Sequence, residues 1–132
     1  MMLTRRAACG CGQLRIETRG DPVRLSVCHC FACQTRTGSA FGFQARFPLA
    51  SVSFEGTATK YTRIADSGNE VTFNFCPHCG TTLFWTLSGY PDVIAIAAGA
   101  FTDPGFPSPK VSVYEVSRHA WVVIDATVEH FD

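Results

Sequence analysis

The seven cysteines are the residues whose type and spacing can do chemistry here, and every one stands in a short motif. Cys28-His29-Cys30-Phe31-Ala32-Cys33 holds three thiols, Cys9-Gly10-Cys11-Gly12 precedes it, and Cys76-Pro77-His78-Cys79-Gly80 follows. Thiolates so closely spaced are soft metal ligands. Four of them close a tetrahedral zinc site, whereas three leave a coordination position open, and an open position is where zinc does chemistry. Seven divides into four plus three. Pairing the outer motifs makes Cys9, Cys11, Cys76 and Cys79 a closed structural set. Cys28, Cys30 and Cys33 remain as an open and potentially catalytic one. Bridging Cys11 to Cys76 closes a long loop, but that entropy grows only with the logarithm of loop length. Zinc–thiolate binding, on the order of 10 kcal/mol or more, outweighs it. Gly10, Gly12 and Gly80 are expected to turn backbone N–H groups toward sulfur and spread the thiolate charge.

Other uses of these residues are weaker. A disulfide framework is opposed by the odd count, the i,i+2 and i,i+3 clustering and the lack of an apolar segment after Arg5-Arg6. His29 sits inside an extended C-x-C, where the middle side chain points away from its neighbours, so it is not expected to join the same metal. His78, His119 and His130 are expected at the surface. Three free thiols without metal remain a rival state for the central motif. If that motif is metallated, its fourth ligand is water or substrate. A three-thiolate zinc already carries net negative charge, so it suits a soft fourth ligand such as a substrate thiol. Binding there lowers the thiol's pKa, and a thiolate adds to small aldehydes.

Composition bounds the rest. The 132 residues fit one domain, expected to span residues 1–132, and 46% of them are hydrophobic. Eleven basic residues balance eleven acidic ones, which favours neither nucleic acid nor an anionic membrane as partner. No apolar run is long enough to span a bilayer. Reduced thiols imply the cytoplasm.

The elements that must carry the thiols read as strands. Gln13–Thr18 alternates polar and apolar, and Val23–Val27 leads into the central motif. Phe31–Thr37 reads as one or two helical turns stopped by Gly38. Ala40–Phe47 is a strand that Pro48 ends, and Val52–Phe54 is short and extended. Ala58–Ile64 and Glu70–Phe75 flank Asp66-Ser67-Gly68-Asn69 as a hairpin. Cys76 to Cys79 then sits at the tip before Thr81–Leu87, like a zinc knuckle. Asp92–Ala98 is a buried strand and Gly99–Pro109 a loop. Val111–Val116 and Trp121–Ile124 are expected as the last strands. The fold class is therefore mainly β, as small sheets pinned by metal.

Three segments make a family resemblance specific. Cys9-Gly10-Cys11-Gly12 is the first. The second is Cys28-x-Cys30-x-x-Cys33 with Gly38-Ser39-Ala40-Phe41-Gly42, and the third is Phe75-Cys76-Pro77-x-Cys79-Gly80-Thr81. Together with Ala97-Ala98-Gly99-Ala100-Phe101-Thr102-Asp103-Pro104 and Trp121, they resemble the glutathione-dependent formaldehyde-activating enzyme family, which also includes centromere protein V. The resemblance implies a β-tent-like fold of small antiparallel sheets with two zinc ions. One is held by Cys9, Cys11, Cys76 and Cys79, and one by Cys28, Cys30 and Cys33. It implies carbon–sulfur lyase chemistry that joins formaldehyde to glutathione as S-(hydroxymethyl)glutathione. Glutathione carries two carboxylates, which suit arginine forks. Arg36, beside the central motif, is the first candidate to bind them, ahead of Arg24, Arg46 and Arg63. Phe41, Phe43 and Trp85 are candidate pocket walls. The partner is thus a small-molecule thiol such as glutathione. The alternative is a zinc-stapled binding module without catalysis, and an apolar, thiol-accessible cavity at the central motif would discriminate against it.

Overall fold

A computed structural model describes residues 2–132. The strands are β1 (Thr4–Ala8), β2 (Arg15–Arg19), β3 (Arg24–Cys28), β4 (Gly42–Pro48), β5 (Val52–Glu55), β6 (Thr59–Ile64), β7 (Glu70–Phe75), β8 (Thr82–Leu87), β9 (Val93–Ala97), β10 (Val111–Val113) and β11 (Glu129–His130). One helix, α1 (Phe31–Thr37), follows β3. It is capped at its start by the Cys30 side chain, and Gly38 in the left-handed region ends it. The strands form two sheets. One has the order β1-β2-β5; the other is eight-stranded, β11-β10-β3-β4-β9-β8-β7-β6. Pairing is antiparallel except that β10 lies parallel to both β3 and β11. The mainly β expectation holds.

The core lies between the two sheets. Ala7, Leu14 and Ile16 from the small-sheet side meet Leu25, Ala45, Phe47, Ile94 and Ile96 from the large one. Strand alternation sends the other residues to the opposite face. On β4, Ala45 and Phe47 face the core, while Gly42, Gln44 and Arg46 face away with Ser26 and Cys28 of β3. The loop after β1 carries Cys9 and Cys11, and the β7–β8 hairpin carries Cys76 and Cys79, so the four-thiol set lies where the two sheets meet.

Five details differ from the sequence expectation. Strand β1 was not expected, nor was β11. Ala98–Phe101, expected mostly as loop, is a 3-10 turn that buries Ala98 and Phe101. Val111–Val116 is a strand only to Val113, because Tyr114 takes a left-handed backbone and Glu115–Ser117 forms a 3-10 turn. Trp121–Ile124 is not a strand at all. Only Val122 of that run is buried, while Trp121 and Val123 stand in solvent. Apolar β-formers make a strand only where a neighbouring strand and a packing surface receive them.

The C-terminal strand is held by an ionic clasp. Glu115 Oε2 accepts from Ser112 Oγ and from His130 Nδ1, each at 2.7 Å. The Glu115 bond, followed by the Asp125 carbonyl, holds the His130 ring above its ordinary 6.5. Burial pushes the Glu115 carboxyl up, but Ser112 and His130 outweigh it and hold it below 4.5. A raised histidine stabilises fully below its unfolded value and loses that contribution as pH rises through the folded one. A lowered carboxylate stabilises above its unfolded value and loses that contribution as pH falls through the folded one. The clasp should therefore be tightest between these two ordinary values and loosen on both sides. Hydrogen exchange of the Glu129 and Phe131 amides, which bond Lys110 and Ser112 carbonyls, should quicken beyond the intrinsic rate between pH 6 and pH 8.5. Unchanged protection across that range would refute the clasp.

Candidate metal centres and a thiol cavity

The thiols gather as two sets. Within each, Cys9, Cys11, Cys76 and Cys79 or Cys28, Cys30 and Cys33, the sulfur atoms lie within 4.8 Å of one another. All seven are free of disulfides. Around a tetrahedral ion with sulfur at about 2.3 Å, neighbouring sulfurs stand roughly 3.8 Å apart. Cys9–Cys11 and Cys11–Cys76 are 3.6 and 3.7 Å apart. The four-thiol set can hold a metal ion in that geometry.

Its sulfurs are also solvated by donors. Gln13 Nε2 lies 3.0 Å from Cys76 Sγ, and the Leu14 and His78 amides reach Cys9 and Cys76 sulfur at 3.3 and 3.4 Å. The Thr81 hydroxyl, first among several hydrogen bonds, draws Cys79 down to about 5. The Gln13 amide pulls Cys11 down, but burial and the neighbouring thiols win and push it up to about 11. The expected glycine donors are not the ones used. Gly12 and Gly80 have positive φ and make the turns, their N–H groups bonding Cys9 and Cys76 carbonyls, while Gly10 N–H bonds Thr81 Oγ1. The Leu14 and His78 amides, each two residues from a glycine, reach sulfur instead.

The three-thiol set ends β3 and begins α1. Cys28 is delivered by the strand, Cys30 caps the helix and accepts the Cys33 amide at 3.3 Å, and Cys33 lies one turn on. Cys28 and Cys33 thiols, then backbone amides, draw Cys30 down to about 2. The same sharing pushes Cys28 up, first through Cys30 and Cys33 and then through burial. Such a set ionises once readily. Taking the remaining protons off needs a cation among the sulfurs, which is the chemistry of a metal site.

His29 points away from the sulfurs, as an extended C-x-C requires. It is fully buried, and Ser112 Oγ lies 2.9 Å from its Nε2. The single Ser112 hydroxyl hydrogen goes to Glu115, so His29 Nε2 donates and carries the proton. Gln34 fastens the loop from the other side by donating to the His29 and Ser117 carbonyls. His78, His119 and His130 are exposed.

Cys28, Cys30 and Cys33 open into a cavity of about 880 Å³. All four candidate arginines, Arg24, Arg36, Arg46 and Arg63, line it. They come from β3, α1, β4 and β6, and none of the ion pairs among the described residues uses them. The Arg36 guanidinium stacks 4.2 Å above the Trp85 ring, and its Nη2 is 3.8 Å from Cys33 Sγ. Trp85 is a wall as expected. Phe41 and Phe43 are not. Phe43 follows the core parity of its strand and packs on Phe106, and Phe41 packs edge-on to His29. Phe73, Val71 and Gln44 line the cavity without having been singled out, although strand parity on β4 and β7 held the signal for them.

The model of the glutathione-dependent formaldehyde-activating enzyme family matches residues 4–117. The chain belongs to that family. Both thiol sets of this family member fall within the matched span. No curated protein sequence is significantly similar to it. Among solved structures, the crystal structure of a Rhodobacter sphaeroides protein is similar at 18% identity and a TM-score of 0.58. The similarity covers 77% of this family member and 90% of that chain, and at this identity it bears on the fold alone. No helix among the described residues is long and apolar enough to cross a membrane.

Proposed function

We propose that the protein is a zinc-dependent carbon–sulfur lyase that joins formaldehyde to a small thiol such as glutathione, as S-(hydroxymethyl)glutathione synthase does. The observation that carries this reading is the opening of three clustered thiols into an arginine-lined cavity in a chain of this family. In it, Cys9, Cys11, Cys76 and Cys79 hold a structural zinc, and Cys28, Cys30 and Cys33 hold a second. Bound there, zinc supplies a soft open position that lowers a thiol's pKa. Sulfur attacks the carbonyl carbon, one C–S bond forms, and the carbonyl electron pair moves to oxygen, which takes the proton released by the thiol. Arg36, braced on Trp85 beside Cys33, binds a substrate carboxylate next to the reacting sulfur. Reduced thiols fit the cytoplasm. A binding module without catalysis needs no such cavity beside its thiols.

Formaldehyde exchange between free and glutathione-bound pools, followed by magnetization transfer, tests the lyase. Wild type should exceed the spontaneous rate, and Cys30→Ser at equal concentration should fall back to it. Equal rates would favour the binding module. Arg36→Ala should reduce the preference for glutathione over 2-mercaptoethanol by about tenfold, the value of one charged hydrogen bond. Gly42→Ala gives an independent check. A Cβ at Gly42 would stand 2.8 Å from Arg36 Nη2 but only in ordinary contact with Cys33, so the arginine must move while the fold need not. The variant should keep the wild-type melt and lose the same preference. A melt and a preference both equal to wild type would remove Arg36 from the substrate's path.

A further inference from the structure

One side of the cavity runs along two paired strands, with Arg24 and Cys28 of β3 and Gln44 and Arg46 of β4 lining it. The register sets Cys28 opposite Gly42, Ser26 opposite Gln44, and Arg24 opposite Arg46. A thiol therefore stands at one end and a pair of cations at the other, with two polar side chains between. The strand rise puts the Cys28 and Arg24 backbones roughly 13 Å apart. In the middle, Gln44 Nε2 donates to Ser26 Oγ at 3.2 Å, both residues being buried. That bond leaves the Gln44 carbonyl oxygen free to accept.

The cationic end is built at a cost. Like charges directly opposite on paired strands are destabilising. Both Nε groups are buried and have no hydrogen-bond partner among the described residues. The Arg46 guanidinium lies 5.2 Å from the Tyr90 ring centroid, which fixes the stem without neutralising the charge. The acidic residues that line the cavity, Asp66 and Asp132, are exposed, and neither forms an ion pair with Arg24 or Arg46. Burial and then the Arg24 charge hold Arg46 below its ordinary value. An unneutralised, partly desolvated arginine pair is stabilised by an oxyanion that takes two forks at once.

We propose that Arg24 and Arg46 form an anion subsite at the far end of the thiol cavity, which holds a carboxylate of the substrate while its sulfur lies at Cys28, Cys30 and Cys33. This rests on the thiol-binding reading above and deepens it. The site then selects thiols by length as well as charge: an anion must stand several bonds from the sulfur, with an amide near Gln44 on the way. Arg36 meets the substrate near sulfur, and the β3–β4 pair meets it at the other end.

Calorimetry on zinc-loaded full-length protein with three probes separates the two ideas. Glutathione carries both thiol and carboxylates, S-methylglutathione keeps the carboxylates without a free thiol, and cysteamine has a thiol and no anion. Wild type should bind glutathione best. Arg24→Gln and Arg46→Gln should each weaken glutathione and S-methylglutathione by roughly ten- to a hundredfold and leave cysteamine unchanged. Arg24→Lys and Arg46→Lys, which retain stem and charge but lose the fork, should fall between and cover the case of a glutamine variant that folds poorly. If glutathione binds wild type and the variants alike, or no better than cysteamine, the subsite is refuted and thiol binding stands. If S-methylglutathione binds in an arginine-dependent way while cysteamine and the glutathione thiol add nothing, the subsite stands and the thiol reading falls. If none of the three binds, both fall.

Discussion

Cys76→Ser should leave the protein largely insoluble, whereas Cys30→Ser should give a folded protein with lowered zinc content. Cys76 is fully buried where the β7–β8 hairpin meets the loop after β1. Its sulfur is 3.7 Å from Cys11 and takes the Gln13 amide at 3.0 Å. The four-thiol set is thus the joint between the two sheets. A thiolate zinc in such a place contributes on the order of 10 kcal/mol to folding. That is comparable with the whole stability of a small domain, roughly 5–15 kcal/mol. The three-thiol set joins neighbouring residues at the end of β3 and the start of α1, so a metal there would close little chain. Its loss should cost the short helix and the cavity, not the core. Expression in the soluble fraction, thermal melts and elemental analysis of both variants would check this. A stable, soluble Cys76→Ser beside an unfolded Cys30→Ser would reverse the roles assigned to the two sets.

Stepwise removal of metal should abolish binding through the substrate's sulfur before it unfolds the core. Protein grown zinc-replete should carry more than one zinc per chain, and at least one when zinc is scarce. A chelator should empty the three-thiol site first, because it opens into the cavity and has one fewer sulfur. At about one zinc per chain, glutathione should bind no better than S-methylglutathione, while circular dichroism changes by no more than the short helix and the melt stays cooperative. The pH dependence has a definite sign. A thiol binds as thiolate and releases its proton, so affinity should weaken as pH falls, by up to tenfold per unit for one proton. Glutathione that binds equally well to metal-free protein, or more tightly at acid pH, would exclude binding at a metal. Folded protein free of zinc would end the two-zinc reading altogether.

Local features were legible in the amino-acid order alone. Close spacing of cysteines fixed which residues are metal-ligand candidates, since two or three thiols within one short loop cannot avoid one another. Phe31–Thr37 with Gly38 behind it was legible as a stopped helix, and Asp66–Asn69 as a hairpin turn, because caps and turns depend on neighbouring residues alone. Alternation also told which residues share a face within one strand. It did not tell which strands are neighbours. Only the tertiary order β3-β4-β9-β8-β7-β6 brought Arg24 opposite Arg46, set Arg63 across the same cavity and laid Arg36 on Trp85. Pairing also decided the errors. Trp121–Ile124 has the composition of a strand and no strand beside it, while Thr4–Ala8, with two arginines, becomes β1 because β2 receives its hydrogen bonds and Ala7 reaches the core. A strand is a relation between segments distant in the chain, and one segment's residues specify only half of it.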